Sequence, residues 1–173
     1  MSKTGYQLSD TELSRLATAF HEAGHAVAAV ALGGRVHRAT VDDEHPHTEY
    51  DRLPAGIQAA ITYAGPWAEA RWTLGRAPGP ADMHGALAIH RADDRALCAA
   101  GGPSAGAEVV GLLERCWPAV KALTTRLYFS GQVDHADVCA ALGLTDDGGP
   151  SSLGLALICS GNAPGTFIAQ QLD

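Results

Sequence analysis

The stretch FHEAGHAVAAV, residues 20–30, places two histidines and a glutamate inside an otherwise apolar helical pattern. Before it, Ser9 and Glu12 match a capping box, and apolar residues then recur at helical spacing as far as a pair of glycines. We therefore predict a first helix from Asp10 to Leu32, with the polar residues in its middle. Buried histidine and carboxylate groups are costly without partners, so this helix needs something to satisfy them.

His21, Glu22 and His25 have the spacing of a metal-binding helix. Residues four apart lie on one face of a helix, so both imidazoles can present a nitrogen to one ion while Glu22 lies beside it. Two neutral imidazoles suit zinc, a carboxylate commonly completes the protein ligands, and water at the open position becomes acidic. The pattern predicts His21 and His25 as zinc ligands and Glu22 as a general base; two satisfied core histidines are the alternative.

Composition narrows the classes of partner. The 173 residues are 46% hydrophobic, which suits one domain with a real core. The net charge is -7 and the 12 Lys and Arg residues are scattered, so we expect no nucleic-acid partner. Without a signal-like start, a membrane-spanning run or a C-x-x-C pair, the sequence indicates a cytoplasmic chain with no membrane segment and four reduced thiols.

The remaining patterns predict a mainly α (α+β) fold with a small β-hairpin or short sheet. RVHRATVDD, residues 35–43, is the predicted strand, and EHPHTEYD, residues 44–51, is interpreted as a loop or ragged edge. Further helices are predicted at 54–75, interrupted or kinked by Pro66, then from about residue 80 to the glycine-rich linker, then at 106–129 and 135–144. The predicted divisions are an extension at 1–8, a domain at 9–144 and a loosely attached tail at 145–173.

FHEAGHAVAAVALGGRVHRATV, residues 20–41, resembles the zinc peptidase domain of the FtsH-type ATP-dependent proteases. Three later stretches are similar to that family's following segments, in the same order: ITYAGPWAEARWTLG, PGPADMHGALAIHRA and LTTRLYFSGQVDHADVCAAL. The resemblance implies a mostly helical zinc endopeptidase in which His21 and His25 bind zinc, Glu22 is the general base and Asp82 is the third ligand. Asp82 also follows a predicted helix start, where a carboxylate is favoured simply as a helix-end charge.

Other acidic and histidine residues are weaker candidates. Glu69 is the rival third ligand or, alternatively, a residue that orients a ligand histidine. Asp93 and Asp94 are interpreted as a solvated face beside arginines. We interpret three histidines in the same way, as surface or partly buried residues without a role at the site: His84, His90 and His135.

The sequence favours a zinc-dependent endopeptidase; a zinc-binding but non-proteolytic regulatory or interaction domain and a metal-free helical module are the alternatives. We expect an extended peptide to lie along the edge of the strand Val36–Asp42, with the His45–His47 loop beside it, either exposed or stabilising an oxyanion. No phosphate-binding G-x-x-x-x-G-K-[ST] loop is present. The expected substrate is therefore an unfolded or flexible polypeptide. The sequence leaves open whether a separate ATPase or adaptor delivers it, and whether the chain forms a homo-oligomer.

Overall fold

A computed structural model describes residues 7–41 and 44–166 of the chain. Most of the predicted N-terminal extension, the end of the predicted strand and the last residues of the predicted tail lie outside these ranges. The described elements are, in chain order, α1 (Asp10–Ala31), β1 (Val36–Thr40), β2 (His47–Tyr50), α2 (Ala55–Leu74), α3 (Pro80–Ile89), α4 (Arg91–Ala99), α5 (Val110–Arg115), α6 (Trp117–Ser130), β3 (Gln132–Val133), α7 (His135–Ala141) and α8 (Leu153–Cys159). The fold is mainly helical with a small sheet, as the sequence predicts.

The first helix begins at the predicted capping box. The Glu12 carboxylate accepts the backbone N–H of Ser9 at 2.8 Å, and the Ser9 hydroxyl accepts the N–H of Glu12 at 3.3 Å. From Ala19 to Ala31 every residue of α1 is buried, including the three polar residues of the motif. The helix is therefore at the centre of the core, and the three polar residues of the motif lie within its buried half.

Helix α2 crosses α1 where both helices carry a glycine. A Cβ on Gly24 would lie 2.5 Å from the Ala64 carbonyl oxygen, and one on Gly65 would lie 2.3 Å from His25 Nε2. Neither position has room for a side chain, so the two backbones approach closely beside the His25 ring. The predicted interruption of α2 does not occur, because the helix runs without a break through Pro66.

Phe20 anchors an aromatic cluster under the motif. Its ring stacks on Trp72 of α2 at 5.1 Å and on Trp117 of α6 at 5.5 Å between ring centroids. Trp67 meets Trp117 edge to face at 6.0 Å. Helices α2 and α6 thus pack against α1 one residue before His21, and this packing fixes the orientation of the turn that carries His21.

Three antiparallel strands form the sheet in the order β2-β1-β3. β1 confirms the predicted strand, and the segment predicted as a loop or ragged edge contributes β2. Along β2 exposed and half-buried residues alternate, and Thr48 and Tyr50 are the half-buried pair. Because β1 is paired on both sides, it has no edge for the expected peptide; β2 lies at the border of the described sheet.

Two helices predicted as continuous are each divided in the structure. The predicted third helix breaks at His90, whose backbone (φ -88°, ψ 70°) ends α3 and begins α4. The predicted long helix breaks at Cys116, so Pro118 lies in the first turn of α6, where proline is well tolerated. Helix α7 begins at residue 135 as predicted, and Asp134 caps it by accepting the N–H of Asp137 at 3.1 Å.

The predicted tail contains an ordered helix. Ser152 caps α8, and Leu155 and Ile158 of this helix are buried. Helix α8 contacts α1 and α5, and the Cys159 thiol donates to the Ala31 carbonyl oxygen at 3.4 Å. The segment expected to be loosely attached therefore contributes Leu155 and Ile158 to the core.

Candidate metal centre

The two histidines of the motif point towards a common centre. Their Nε2 atoms lie 3.0 Å apart, and both side chains are almost fully buried. His25 Nδ1 lies 2.8 Å from the Ile61 carbonyl oxygen, which can only accept, so Nδ1 carries the hydrogen. The lone pair of neutral His25 is therefore on Nε2 and faces His21, which is the tautomer a metal ligand needs.

Asp93, near the start of α4, supplies a carboxylate to the same centre. Its Oδ2 lies 3.2 Å from His21 Nε2, and its Oδ1 lies 3.7 Å from His25 Nε2. The three ligand atoms are within 4.8 Å of one another. Ligand atoms around a tetrahedral zinc lie roughly 3.3 Å apart at ordinary bond lengths, so this set of two imidazoles and one carboxylate fits zinc.

Asp82, the third ligand implied by the resemblance, is placed elsewhere. Its carboxylate forms an ion pair with Arg76 at 2.8 Å and accepts the backbone N–H of Gly79 at 2.8 Å. The contact with Arg76, which has the larger effect, and the hydrogen bond from Gly79 both favour the charged carboxylate. They hold the pKa of Asp82 below its usual value. The structure thus gives Asp82 the helix-end role and places Asp93, for which the sequence predicts a solvated face, beside the histidines.

Glu69 and His90 hold the opposite nitrogen of His21. Glu69 Oε2 lies 3.4 Å from His21 Nδ1 and 2.9 Å from His90 Nε2, and the His90 and His21 ring centroids are 4.1 Å apart. Glu69 therefore occupies the position of a residue that orients a ligand histidine. His21 Nδ1 has no well-formed hydrogen bond among the described residues, which leaves it dependent on this contact.

Glu22 lies beside the ligand atoms and is held by the sheet. The Thr48 hydroxyl donates to Glu22 Oε2 at 2.7 Å and also lies 3.1 Å from the Glu22 carbonyl oxygen. Glu22 is 5% exposed, so the carboxylate is shielded from bulk water on most sides. β2, which lies in the segment predicted as a loop or ragged edge, therefore positions the predicted base.

The charges in the metal-free centre are strongly coupled. Burial disfavours protonation of His21, but the contacts with Asp93 and Glu69 and the charge of Glu22 outweigh it and raise the pKa of His21 to about 9. Burial and the nearby His21 cation lower the pKa of His25. Glu69 behaves oppositely, since its contacts with His21 and His90 overcome burial and lower its pKa to about 2. The acidic side chains around His21 thus favour the protonated, cationic form of its ring.

A cleft of about 510 Å³ opens onto these residues. Its walls combine α1, β2 and the start of α4, and include Glu22, Thr48, Tyr50 and Asp93. His45, His47 and His84 are all exposed, and of these three His47 lines the cleft. His135 is buried on another side of β1, where its Nδ1 accepts the Val36 N–H at 3.3 Å. No described helix is long and apolar enough to cross a membrane.

Sequence reasoning missed His90 and Asp93 although a signal was available. The two residues are three apart, which is the spacing of neighbours in one helical turn. The spacing alone does not show which way this turn faces, and the predicted continuous third helix lacks the break at His90. With α4 starting there, both side chains project from its first turn towards His21.

Residues 9–78 match a family model described as Peptidase M50B-like. The matched region includes α1, the β1–β2 hairpin and α2, and so contains the motif histidines, Glu22 and Glu69, but it ends before Asp93. No curated protein matches the sequence. The family match covers less than half of the chain and is to a different family from the FtsH-type peptidases. It supports a metallopeptidase-type family for this chain.

Proposed function

We propose that the protein is a zinc-dependent endopeptidase. The observation that carries the proposal is the convergence of His21 Nε2, His25 Nε2 and the Asp93 carboxylate, with Glu22 adjacent to them. The metallopeptidase-type family match supports it independently. A structural metal site has no need of a buried carboxylate next to its ligands, and this favours hydrolysis over the non-proteolytic alternative.

His21, His25 and Asp93 would hold the zinc ion. When bound, zinc supplies Lewis-acid polarisation of a peptide carbonyl and lowers the pKa of water. Glu22, held in place by Thr48, accepts a proton from the attacking water and returns it to the leaving amine nitrogen. Glu69 and His90 restrain the outer nitrogen of His21 while its inner nitrogen serves as a ligand.

The substrate in this proposal is an extended, unfolded or flexible polypeptide. β2 offers a strand edge beside Glu22, so a peptide can add main-chain hydrogen bonds there with its scissile bond close to the base. This replaces the edge of β1 that the sequence suggested. The proposal includes delivery of the substrate by a separate ATPase or adaptor. It also includes assignment to the FtsH type, which the quoted sequence motifs support and the position of Asp82 does not.

The test compares Glu22→Gln with Glu49→Gln, a matched change on the exposed face of β2. Both proteins should bind one zinc per chain, measured by elemental analysis, because neither residue is a ligand. Glu22→Gln should cleave casein at least about a hundredfold more slowly than wild type, while Glu49→Gln should retain activity.

Two results would contradict the proposal. Equal cleavage by wild type and Glu22→Gln would assign the activity to another site or a contaminant. A wild type that holds stoichiometric zinc and cleaves no unfolded protein or peptide would favour the non-proteolytic domain.

A further inference from the structure

Tyr50 is a residue of the cleft that the roles described so far do not use. It is the last residue of β2, two positions after Thr48, and residues two apart in a strand point to the same face. Thr48 contacts Glu22 on that face, and Tyr50 lines the same cleft as Glu22, His25 and Asp93. The strand therefore directs one side chain to the base and the next to the space in front of it.

The hydroxyl of Tyr50 is poised to donate. The Gln58 side-chain amide donates to the Tyr50 oxygen, and an amide N–H cannot accept in return. Within residues 7–41 and 44–166 no acceptor for the Tyr50 hydrogen is found. Burial, opposed by the Gln58 contact and assisted by the charge of Asp93, raises the pKa of Tyr50, so the phenol keeps its hydrogen at neutral pH.

We propose that Tyr50 is a further catalytic residue, whose hydroxyl hydrogen-bonds the oxyanion that forms at the scissile carbonyl. This inference rests on the proposed peptidase function. Water oxygen bonds to the carbonyl carbon, its proton passes to Glu22, and the carbonyl oxygen takes the negative charge. Tyr50 donates to that oxygen and keeps its own proton. As the C–N bond breaks, Glu22 gives the proton to the amine and the carbonyl re-forms.

Two side chains on the same face of β2 thus have separate roles. Thr48 donates to the base, and Tyr50 donates to the oxygen on which charge develops. Gln58 holds the Tyr50 oxygen from α2, so the donor is oriented before substrate arrives. Such a group acts mainly in the transition state, because the neutral carbonyl of the substrate is a weaker acceptor than the oxyanion.

The first experiment removes the hydroxyl alone. Tyr50→Phe should lower kcat for a casein-derived peptide by about 100 to 1,000-fold, the range typical of losing one oxyanion donor, with little change in KM. Zinc affinity, measured by competition with a chelator, should be unchanged because Tyr50 is not a ligand. Tyr63→Phe is the matched control, since Tyr63 is a buried tyrosine of α2 that does not line the cleft, and its kcat should equal that of wild type.

A second comparison uses Gln58. Gln58→Glu offers an acceptor that captures the Tyr50 hydrogen, whereas Gln58→Leu leaves that hydrogen free. The glutamate variant should therefore lose much more activity than the leucine variant. In the Tyr50→Phe background, Gln58→Glu should add little further loss, because the hydrogen it would capture is already gone.

Binding gives a measure that does not depend on turnover. A phosphinic analogue of the same peptide, with a tetrahedral charged group at the scissile position, should bind Tyr50→Phe about 100-fold or more weakly than wild type. The product peptides should bind both proteins equally. An active wild type with an equally active Tyr50→Phe, or equal binding of the analogue, would overturn the role of Tyr50 alone. A zinc-loaded wild type that cleaves nothing would overturn the proposed function, and the role of Tyr50 with it.

Discussion

His21 is the residue on which the whole centre depends, because each of its ring nitrogens has a separate task. Nε2 faces His25 and Asp93, where zinc would bind, and Nδ1 faces Glu69 and His90. The neighbours of Nε2, His25 and Asp93, are thus ligand candidates, and the neighbours of Nδ1, Glu69 and His90, restrain the ring. The assignment of each carboxylate to its side of the ring can be tested by substitution.

The first prediction separates the carboxylates. Asp93→Ala should lower zinc affinity by more than the roughly 10 to 100-fold typical of losing an outer partner, and Glu69→Gln should fall within that range. Asp82→Ala is the control, since Asp82 contacts Arg76 and Gly79 and should leave zinc bound as in wild type. Chelator competition measures all three. A large loss in Asp82→Ala with none in Asp93→Ala would restore the ligand set implied by the family resemblance.

The second prediction concerns pH. Because the pKa of His21 is raised to about 9 and the pKa of His25 is lowered, we expect zinc binding at neutral pH to displace one proton, from His21. Zinc affinity should rise about tenfold per pH unit up to pH 9. Titration calorimetry in buffers of different ionisation enthalpy should show about one proton released at pH 7. A pH-independent affinity would rule out a protonated His21.

The same shift changes the stability of the metal-free protein in the opposite direction. The pKa of His21 is raised above its ordinary value of 6.5, so the stabilisation it gives is complete below pH 6.5 and is lost as pH rises through about 9. The melting temperature of the metal-free protein should therefore carry a component that falls over this window. Adding zinc should reverse the trend, since the ion binds better as pH rises.

Among the helices, the crossing of α1 and α2 determines how much space is left for the rings of the motif histidines. Gly65 leaves the space that the His25 ring fills, and the Ile61 carbonyl one turn earlier fixes the tautomer of that ring. Helix α2 thus packs against the His25 ring and also accepts its hydrogen bond. Its two glycines, however, differ sharply in what surrounds them.

The third prediction uses this difference. Gly65→Ala would place a Cβ 2.3 Å from His25 Nε2, so the ring must move and zinc affinity should fall at least about tenfold. Gly56→Ala in the same helix meets nothing within 4 Å and should bind zinc like wild type. Alanine also favours a helix over glycine, by roughly 0.5 to 1 kcal/mol, so the control should be slightly more heat-stable. Equal zinc affinity in the two variants would contradict the close crossing.

Elements with strong local signals were predictable from the sequence, and elements fixed by tertiary contacts were not. α1 and α7 begin at capping residues that any reading of the sequence can find, and both are confirmed. The sequence predicts only a loop or ragged edge at β2, because its residues are mostly polar and its pairing comes from β1. The break at His90 has no proline or glycine to mark it, so the predicted continuous helix carried Asp93 away from the centre.

For the whole molecule, burial divides the four cysteines into two classes. Cys116 is fully buried, and burial raises its pKa to about 12; burial also raises the pKa of Cys139, which is 5% exposed. Cys98 and Cys159 are exposed. The fold therefore protects one pair of thiols that the sequence alone cannot distinguish from the other.

The fourth prediction follows from this division. Iodoacetamide at pH 8 should label two thiols per native chain and four per chain unfolded in guanidinium chloride, as counted by mass spectrometry. Peptide mapping should place the native labels on Cys98 and Cys159. Rapid labelling of Cys116 in the native protein would mean that the junction of α5 and α6 is open to solvent, contrary to the structure.

The aromatic cluster beneath α1 gives the chain a built-in optical reporter. The sequence contains three tryptophans, and all of them, Trp67, Trp72 and Trp117, lie in the group centred on Phe20. Indole emission therefore comes entirely from the layer next to the His21 turn, with no distant fluorophore to dilute it. Any shift of α1 when zinc binds should change the intensity or wavelength of that emission, so the unmodified protein can be titrated by its own fluorescence.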